Sequence, residues 1–194
     1  MLSPAAKFFS NVNPNYLSFA SLILAIIAAI LFVIDWQHAL LLAAVFVLLS
    51  GIFDALDGKV ARISSKASKR GDFLDHVIDR YSDAIILGAI GLSALCPVSF
   101  ALFGVIGVLL ASYMGTQAQA MGLGREYRGI LGRADRIAVL VAVSLIQYFF
   151  TLGADEGMFK IFGYTLVAWM MIYFGLAGNI TALQRARSIW KSLT

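Results

Sequence analysis

Four aspartates stand close together in a chain that is otherwise strongly apolar. Asp54 and Asp57 are spaced i, i+3, and Asp75 and Asp79 are spaced i, i+4, so in helices each pair lies on one face. Two helices joined by a short basic loop could bring the four carboxylates within a few ångströms of one another. Bare carboxylates at such distances repel each other and take up protons. Oxygen ligands suit hard divalent cations, so we predict that these four residues bind Mg²⁺ or Mn²⁺.

The acidic cluster could also serve a purpose other than holding a catalytic metal. The carboxylates could be solvated at a helix end or paired with Lys59, Arg62, Lys69, Arg70 and Arg80. Carboxylates inside a membrane can also relay protons or bind a transported cation, as in a small transporter. A transporter would hold them near the middle of the membrane, whereas an enzyme with soluble substrates would hold them at one edge. A third possibility is an assembly subunit without a site of its own.

The composition predicts an all-α, polytopic membrane protein. Of the 194 residues, 60% are hydrophobic and 13% are charged, against about 25% charged in soluble domains. A spanning helix needs about 20 apolar residues, and we predict six spans, at 16–34, 38–56, 74–95, 98–121, 135–153 and 159–182. We expect one domain over residues 1–194. Residues 1–13 are expected to form a short amphipathic interfacial helix, and not a signal peptide, because five further spans follow the first.

The glycines within the apolar segments have a simpler interpretation than ligand binding. They occur at 88, 91, 104, 107, 175 and 178. Small residues allow two membrane helices to approach closely. We therefore predict that these glycines serve helix packing.

The positive charges predict the orientation of the chain. Fourteen of the fifteen Lys and Arg residues lie at the N-terminus, around 59–80, in 125–136 or after 184, and only Lys160 lies on the other side. Cytoplasmic loops are enriched in Lys and Arg. We therefore predict a plasma-membrane protein whose termini, basic loops and acidic cluster face the cytoplasm. This topology also accounts for the net charge of +4, so no nucleic-acid partner is predicted.

The aspartates are part of a longer pattern, D-x2-D-G-x2-A-R-x8-G-x3-D-x3-D, which this chain fills without a gap from Asp54 to Asp79. With this pattern the sequence resembles the CDP-alcohol phosphotransferase (CDP-alcohol phosphatidyltransferase) family. The six predicted spans and the stretch Pro14-Asn15-x-Leu17-Ser18 are also similar to that family. The resemblance implies an enzyme of phospholipid biosynthesis that transfers a lipid phosphate group from a CDP-linked lipid to a small alcohol and releases CMP. It further implies two bound Mg²⁺ or Mn²⁺ ions and a homodimer.

The resemblance also implies roles for individual residues. Asp54, Asp57 and Asp75 would coordinate the metals, while Asp79 would contact one metal and act as general base on the acceptor hydroxyl. The residues expected to bind the CDP-linked lipid are small, hydroxyl-bearing, amide-bearing or cationic: Gly58, Ala61, Arg62, Ser68, Gly71, Asn15 and Ser18. Asn15 and Ser18 could equally cap a helix, and Gly71 could serve either close backbone approach or the turn into the third span.

The acceptor is predicted from the second basic loop, residues 122–136, which has four arginines and no lysine. Its charges could reflect topology alone, but arginine favours bidentate phosphate binding. The sequence GRADR with the later Gln184-Arg185 is similar to family members of the phosphatidylinositol-phosphate and archaetidylinositol-phosphate synthase type. We therefore predict inositol 1-phosphate as acceptor, with its phosphate bound by Arg133, Arg136, Arg185 and Arg125.

One departure from those members keeps other acceptors open. They often carry a basic residue where this chain has Gly115 and Gln117. Glycerol 3-phosphate and serine therefore stay as alternative acceptors. The donor could be CDP-diacylglycerol or CDP-archaeol, because an apolar groove suits both lipids.

Overall fold

Seven α-helices account for most of the structure. The computed structural model describes residues 3–9, 11–66, 68–124, 126–154 and 157–193. In these ranges the helices are α1 (Ser3–Phe8), α2 (Pro14–Val33), α3 (Ala39–Ile63), α4 (Lys69–Leu92), α5 (Val98–Ala120), α6 (Arg133–Leu152) and α7 (Leu166–Ser192). The described extended backbone is limited to one bridge between Ile161 and Tyr164. The predicted all-α fold class is confirmed.

Several helices continue beyond the apolar segments that predicted them. α3 ends at Ile63 instead of 56, and α4 begins at Lys69 instead of 74. Apolar composition marks where a helix leaves the hydrocarbon region, while backbone hydrogen bonds can continue into the polar region. Asp54 and Asp57 therefore lie inside α3, and not at its end as predicted.

The last helix begins later than predicted, because residues 159–165 form a turn. Phe162 and Gly163 have positive φ angles of 51° and 81°. The hydroxyl of Thr165 then caps α7 by accepting a 3.0 Å hydrogen bond from the Ala168 amide. The apolar composition continues through this turn, so it could not indicate where the helix begins.

Five helices, α2, α3, α5, α6 and α7, are long and apolar enough to cross a membrane. This corrects the predicted count of six, because α4 carries the charged residues Lys69, Arg70, Asp72, Asp75, Asp79, Arg80 and Asp83. The second half of α4 is apolar, and Ile86, Leu87 and Ile90 are buried. The chain is a multi-pass membrane protein in which α4 combines a charged half with a buried apolar half.

The helices pack so that α2 contacts α3 and α4, α6 contacts α3 and α7, and α5 pairs with α7. Glycines permit the α5–α7 pairing, since a Cβ on Gly178 would lie 2.4 Å from the carbonyl carbon of Gly107. A Cβ on Gly104 or Gly91 would likewise meet the facing helix. The packing prediction is therefore confirmed for these glycines. It is wrong for Gly88, where a Cβ would meet no described atom within 4 Å.

The N-terminal helix α1 is shorter than the predicted residues 1–13, of which 1, 2 and 10 lie outside the described part of the chain. α1 packs on α3, where Ala6 joins the buried residues Leu17, Leu56 and Val60. This small apolar cluster joins α1 to the first turns of α2 and the last turns of α3.

Candidate active site

Asp57 is anchored by a hydrogen bond between α2 and α3. The Ser18 hydroxyl donates to Asp57 Oδ2 at 2.5 Å, and both residues are buried. The N-cap of α2 is Asn13, whose side chain accepts from the Asn15 amide at 3.1 Å. Ser18 is thus not a helix cap, and its hydroxyl faces the acidic cluster.

The aspartates of α3 and α4 converge as their spacing predicted. One ligand atom each from Asp54, Asp57 and Asp75 lies within 4.8 Å of the others, and Asp75, His76 and Asp79 form a second such group. Asp75 belongs to both groups, so the two form one continuous cluster. His76 was not predicted as a site residue, and its signal in the sequence is its position directly after Asp75.

The chemistry of this cluster fits a divalent cation. In the described part of the chain, Asp54 Oδ1 and Asp79 Oδ1 are buried without a hydrogen-bond partner, although buried polar atoms are normally satisfied. Asp79 Oδ1 has an ion pair with Arg133. Four carboxylates and one imidazole give a mainly oxygen ligand set, which suits Mg²⁺ or Mn²⁺.

Two arginines in the first turn of α6 face acids on α4. Arg133 Nη1 donates to Asp54 Oδ2 and lies 2.6 Å from Asp79 Oδ1. One turn further along both helices, Arg136 Nη2 donates to Asp83 Oδ2 at 2.8 Å. The structure thus places two of the predicted acceptor residues beside the acidic cluster. Asp83 was not selected as a site residue from the sequence, although it continues the i, i+4 series of Asp79.

The loop before α6 fixes the start of that helix. The Thr181 hydroxyl of α7 accepts from the Ile130 amide at 3.2 Å and from the Leu131 amide at 3.1 Å. The Gly132 amide donates to Asp135 Oδ2 at 3.0 Å within the first turn. These bonds tie the position of both arginines to α7.

Arg185 is buried beneath the same loop. Its Nε donates to the Arg128 carbonyl at 2.7 Å, and its Nη1 donates to the Ala111 carbonyl at 2.6 Å. A longer bond of 3.4 Å joins Nη2 to the Tyr127 carbonyl. These contacts favour a role in holding the loop to α5 and α7, in place of the predicted binding of the acceptor phosphate. Arg125, the fourth predicted acceptor residue, lies outside the described residues.

Glu126 provides a second attachment between this loop and α7. Its Oε1 accepts from the Arg128 amide at 3.0 Å, and its Oε2 accepts from the Ser188 hydroxyl at 2.8 Å. The Arg128 amide first, and then the Ser188 hydroxyl, lower the pKa of Glu126 below its ordinary value. The charged form of this carboxylate is therefore the one that the loop stabilises.

The seven residues predicted for the CDP-linked lipid line one cleft between α2, α3 and α4: Asn15, Ser18, Gly58, Ala61, Arg62, Ser68 and Gly71. Asp57 and Asp75 also line it, so the cleft opens onto the acidic cluster. Lys66 and Tyr127 also line it. These two were not predicted, because neither belongs to the signature and Tyr127 comes from a distant loop.

Two glycines contribute to this cleft in different ways. A Cβ on Gly58 would meet only Arg62 Nη2, at 3.9 Å, so the missing side chain leaves open space. Gly71 lies in the first turn of α4, where its amide donates to the Ser68 hydroxyl at 3.1 Å. The turn itself is made at Ser65, with a φ of 52°. Gly71 is therefore not the turn residue. The alternative that remains is close approach of a ligand to its backbone.

The sequence model of the CDP-alcohol phosphatidyltransferase family matches residues 11–181. The chain belongs to this family. The resemblance expected from the signature is thereby confirmed, and with it an enzyme of phospholipid biosynthesis that acts as a transferase. Membership argues against the transporter.

Relatives within the CDP-alcohol phosphatidyltransferase family include two archaeal proteins. The archaetidylinositol phosphate synthase of Pyrococcus horikoshii is 35% identical over 137 residues, which are 71% of this chain and 71% of that protein. The archaetidylinositol phosphate synthase of Methanothermobacter thermautotrophicus is 30% identical over 159 residues, covering 80% of this chain and 73% of that protein.

The fold is similar to solved structures of this family. Phosphatidylinositol phosphate synthase of Mycobacterium tuberculosis with CDP-DAG bound gives a TM-score of 0.75 at 20% identity, covering 98% of this chain and 94% of that one. Its complex with manganese and citrate gives 0.77 at 22% identity, covering 98% and 89%. At these identities the similarity establishes the shared fold.

Proposed function

We propose that this enzyme transfers the lipid phosphate group of a CDP-linked lipid to inositol 1-phosphate and releases CMP. The observation that carries the choice of acceptor is the placement of two guanidinium groups, the partly buried Arg133 and the buried Arg136, directly beside the carboxylates of α4. An anionic acceptor would be held there next to Asp79. The names of the archaeal relatives agree with an inositol phosphate acceptor.

The cleft would bind the donor and orient its diphosphate. Gly58 and Ala61 leave room for the nucleotide along α3, and Arg62 can pair with a phosphate through its planar fork. Asn15, Ser68 and Gly71 also line the cleft. This arrangement would point the phosphorus on the lipid side of the donor toward Asp57 and Asp75.

Asp79 would act as general base. It would take the proton from the acceptor hydroxyl while that oxygen forms a bond to the phosphorus on the lipid side of the donor. The bond from this phosphorus to the CMP oxygen breaks, and CMP leaves with the bonding electrons. Asp79 is buried beside Arg133, which would bring an acceptor phosphate and the base into the same site.

Asp54, Asp57, Asp75 and Asp79 would hold two divalent cations, and His76 is close enough to join them. When bound, two such ions neutralise the charge that develops on the attacking and leaving oxygens. We propose Mg²⁺ or Mn²⁺ on the basis of the ligand set. The burial of Asp57 and Asp79 would keep water from the reacting groups.

The departure at Gly115 has a packing reason, so it does not decide between the alternative acceptors. A Cβ at this position would lie 3.1 Å from the Glu126 carbonyl and 3.2 Å from Arg185 Nη1. The residue therefore lies directly beneath the loop, where a basic side chain would not fit without movement. Glycerol 3-phosphate, which is also a phosphate ester, is the second candidate acceptor.

We further propose that residues 1–194 act as one catalytic domain in the plasma membrane, with the site on the cytoplasmic side. The basic loops that flank the cleft support this orientation. A homodimer is proposed from the family resemblance alone.

The test is CMP release by purified protein in detergent with Mg²⁺. Each reaction would contain CDP-diacylglycerol or CDP-archaeol and one acceptor from inositol 1-phosphate, glycerol 3-phosphate, inositol and serine. Release with inositol 1-phosphate, lost in a folded Asp79→Asn variant, is expected. Release with serine or inositol in preference to both phosphate esters would overturn the proposed acceptor class.

A further inference from the structure

The ion pairs between α4 and α6 form two steps, one helical turn apart. The first joins Asp79 to Arg133, and the second joins Asp83 to Arg136. Asp79 closes the family signature and lies within a group of potential metal ligands. Asp83 lies beyond the signature, and the metal-ligand groups found in the described residues do not include it. Metal binding therefore does not explain the Asp83–Arg136 ion pair.

Arg136 is held by two other helices. Its Nη2 donates to Asp83 on α4 at 2.8 Å, and its Nη1 donates to the Ser112 hydroxyl on α5 at 3.4 Å. The residue is 5% exposed, so its charge is largely removed from water. A guanidinium in such a place needs a partner of opposite charge, because an unpaired buried charge is strongly destabilising. Asp83 is the carboxylate nearest to it among the ion pairs described.

Among the described residues, one other cation, Arg80, lies within ion-pair distance of the Asp83 carboxylate, and its contact is the weaker of the two. Arg80 Nη2 lies 3.8 Å from Asp83 Oδ2, a full ångström further than Arg136 Nη2. The side chain of Arg80 is 29% exposed, against 7% for Arg136. The short and buried contact is therefore the one that fixes the Asp83 carboxylate.

A small cavity adjoins this pair. Its wall includes Asp83, Arg133, Arg136 and the hydroxyl-bearing Ser82. Within the described residues, the Ser82 hydroxyl and the Arg136 Nε are buried and have no hydrogen-bond partner. The cavity, of about 30 Å³ and otherwise lined mainly by apolar side chains, has room for one small polar atom beside the two guanidinium groups.

We propose that Asp83 is a positioning residue, which holds the Arg136 guanidinium in the orientation that binds the phosphate of the acceptor. This inference rests on the proposed function, because it requires a phosphorylated acceptor. Asp83 contacts neither the reacting oxygen nor the phosphorus, and it acts through Arg136. Its loss would weaken binding of the acceptor and leave donor binding and metal binding intact.

The experiment compares the wild-type enzyme with Asp83→Asn, Arg136→Gln and the double variant. We expect Asp83→Asn to raise KM for inositol 1-phosphate about tenfold, as for the loss of a charge-assisted hydrogen bond. KM for the CDP-linked lipid and the affinity for Mn²⁺, measured by EPR titration, should stay within twofold. Asp35→Asn, which removes an exposed acid at the other end of the bundle, is the charge-matched control.

The double variant decides whether Asp83 acts through Arg136. If it does, the double variant has the same KM as Arg136→Gln alone, because the two changes remove one interaction. If Asp83→Asn does not fold, the double variant, which leaves no unpaired buried charge, still provides this comparison. A further rise of KM in the double variant would overturn the inference.

The wild-type reactions separate this inference from the proposed function. Turnover of inositol 1-phosphate with an unchanged KM in folded Asp83→Asn would overturn only the role of Asp83. A wild-type enzyme that accepts only unphosphorylated alcohols would overturn the proposed acceptor and this inference together.

Discussion

Arg133 Nη1 lies 2.6 Å from Asp79 Oδ1, so the first residue of α6 forms an ion pair with the last aspartate of the family signature. The same nitrogen donates to Asp54 on α3. A metal ion bound at this site and the Arg133 guanidinium would therefore compete for the same carboxylate oxygens. The strength of this competition can be measured as a change in metal affinity when the guanidinium is removed.

We predict that Arg133→Gln raises the affinity for Mn²⁺ about tenfold, because a positive charge beside the site is removed. The same variant should raise KM for a phosphorylated acceptor. EPR titration of free Mn²⁺ measures the first effect and CMP release the second. Arg128→Gln is the control, since that side chain is 82% exposed. An unchanged Mn²⁺ affinity in Arg133→Gln would show that the guanidinium does not oppose metal binding.

The Ser18–Asp57 hydrogen bond leads to a prediction about activity. Ser18→Ala leaves Asp57 Oδ2 without its 2.5 Å donor, and we expect kcat/KM for the CDP-linked lipid to fall about tenfold. Ser21→Ala is the matched control on the same helix, because its hydroxyl bonds the Ser18 carbonyl and not a carboxylate. Equal losses in the two variants would mean that only helix packing is affected.

The open space beside Gly58 predicts a separation of stability from binding. Gly58→Ala adds a methyl group that meets only Arg62 Nη2, at 3.9 Å, in the free protein. The midpoint temperature of thermal unfolding should therefore be unchanged or slightly higher, since Ala favours a helix by about 1 kcal/mol over Gly. KM for the CDP-linked lipid should rise about tenfold, because the methyl group narrows the cleft. A variant that is as active as the wild type would place the nucleotide elsewhere.

The α5–α7 contact predicts the opposite result for another glycine. Gly178→Ala must push the two helices apart, because the added Cβ would lie 2.4 Å from the Gly107 carbonyl carbon. We expect a loss of stability of about 1–3 kcal/mol, typical of overpacking. Gly88→Ala on α4 is the control, since its Cβ would have open space. Unfolding curves in detergent compare the two variants, and similar midpoints would contradict the described packing.

The sequence predicted the acidic cluster well because the spacing of residues within a helix determines which side chains share a face. Asp54 with Asp57, and Asp75 with Asp79, needed only a tight turn between two helices to meet. The predicted residues that line the cleft between α2, α3 and α4 followed from the same short segment and the start of α2. Local geometry was sufficient for this part of the site.

The other side of the site depends on contacts between distant segments. Arg133 meets Asp54 across 79 positions, and Arg185 bonds the Ala111 carbonyl across 74. An arginine in a basic loop has the same appearance in the sequence whether it binds a ligand or main-chain carbonyls. The partners of Arg185 therefore became visible only in the fold.

The two-part composition of α4 has a consequence for how the protein reaches its membrane. A helix whose first half carries so many charged residues is poorly suited to enter lipid by itself. Its neighbour α2 is strongly apolar and packs directly against it. The order of synthesis makes α2 and α3 available before α4 emerges from the ribosome. We therefore expect α4, which is not among the five helices apolar enough to cross a membrane, to take its place against α2 only after α2 and α3 are in the membrane.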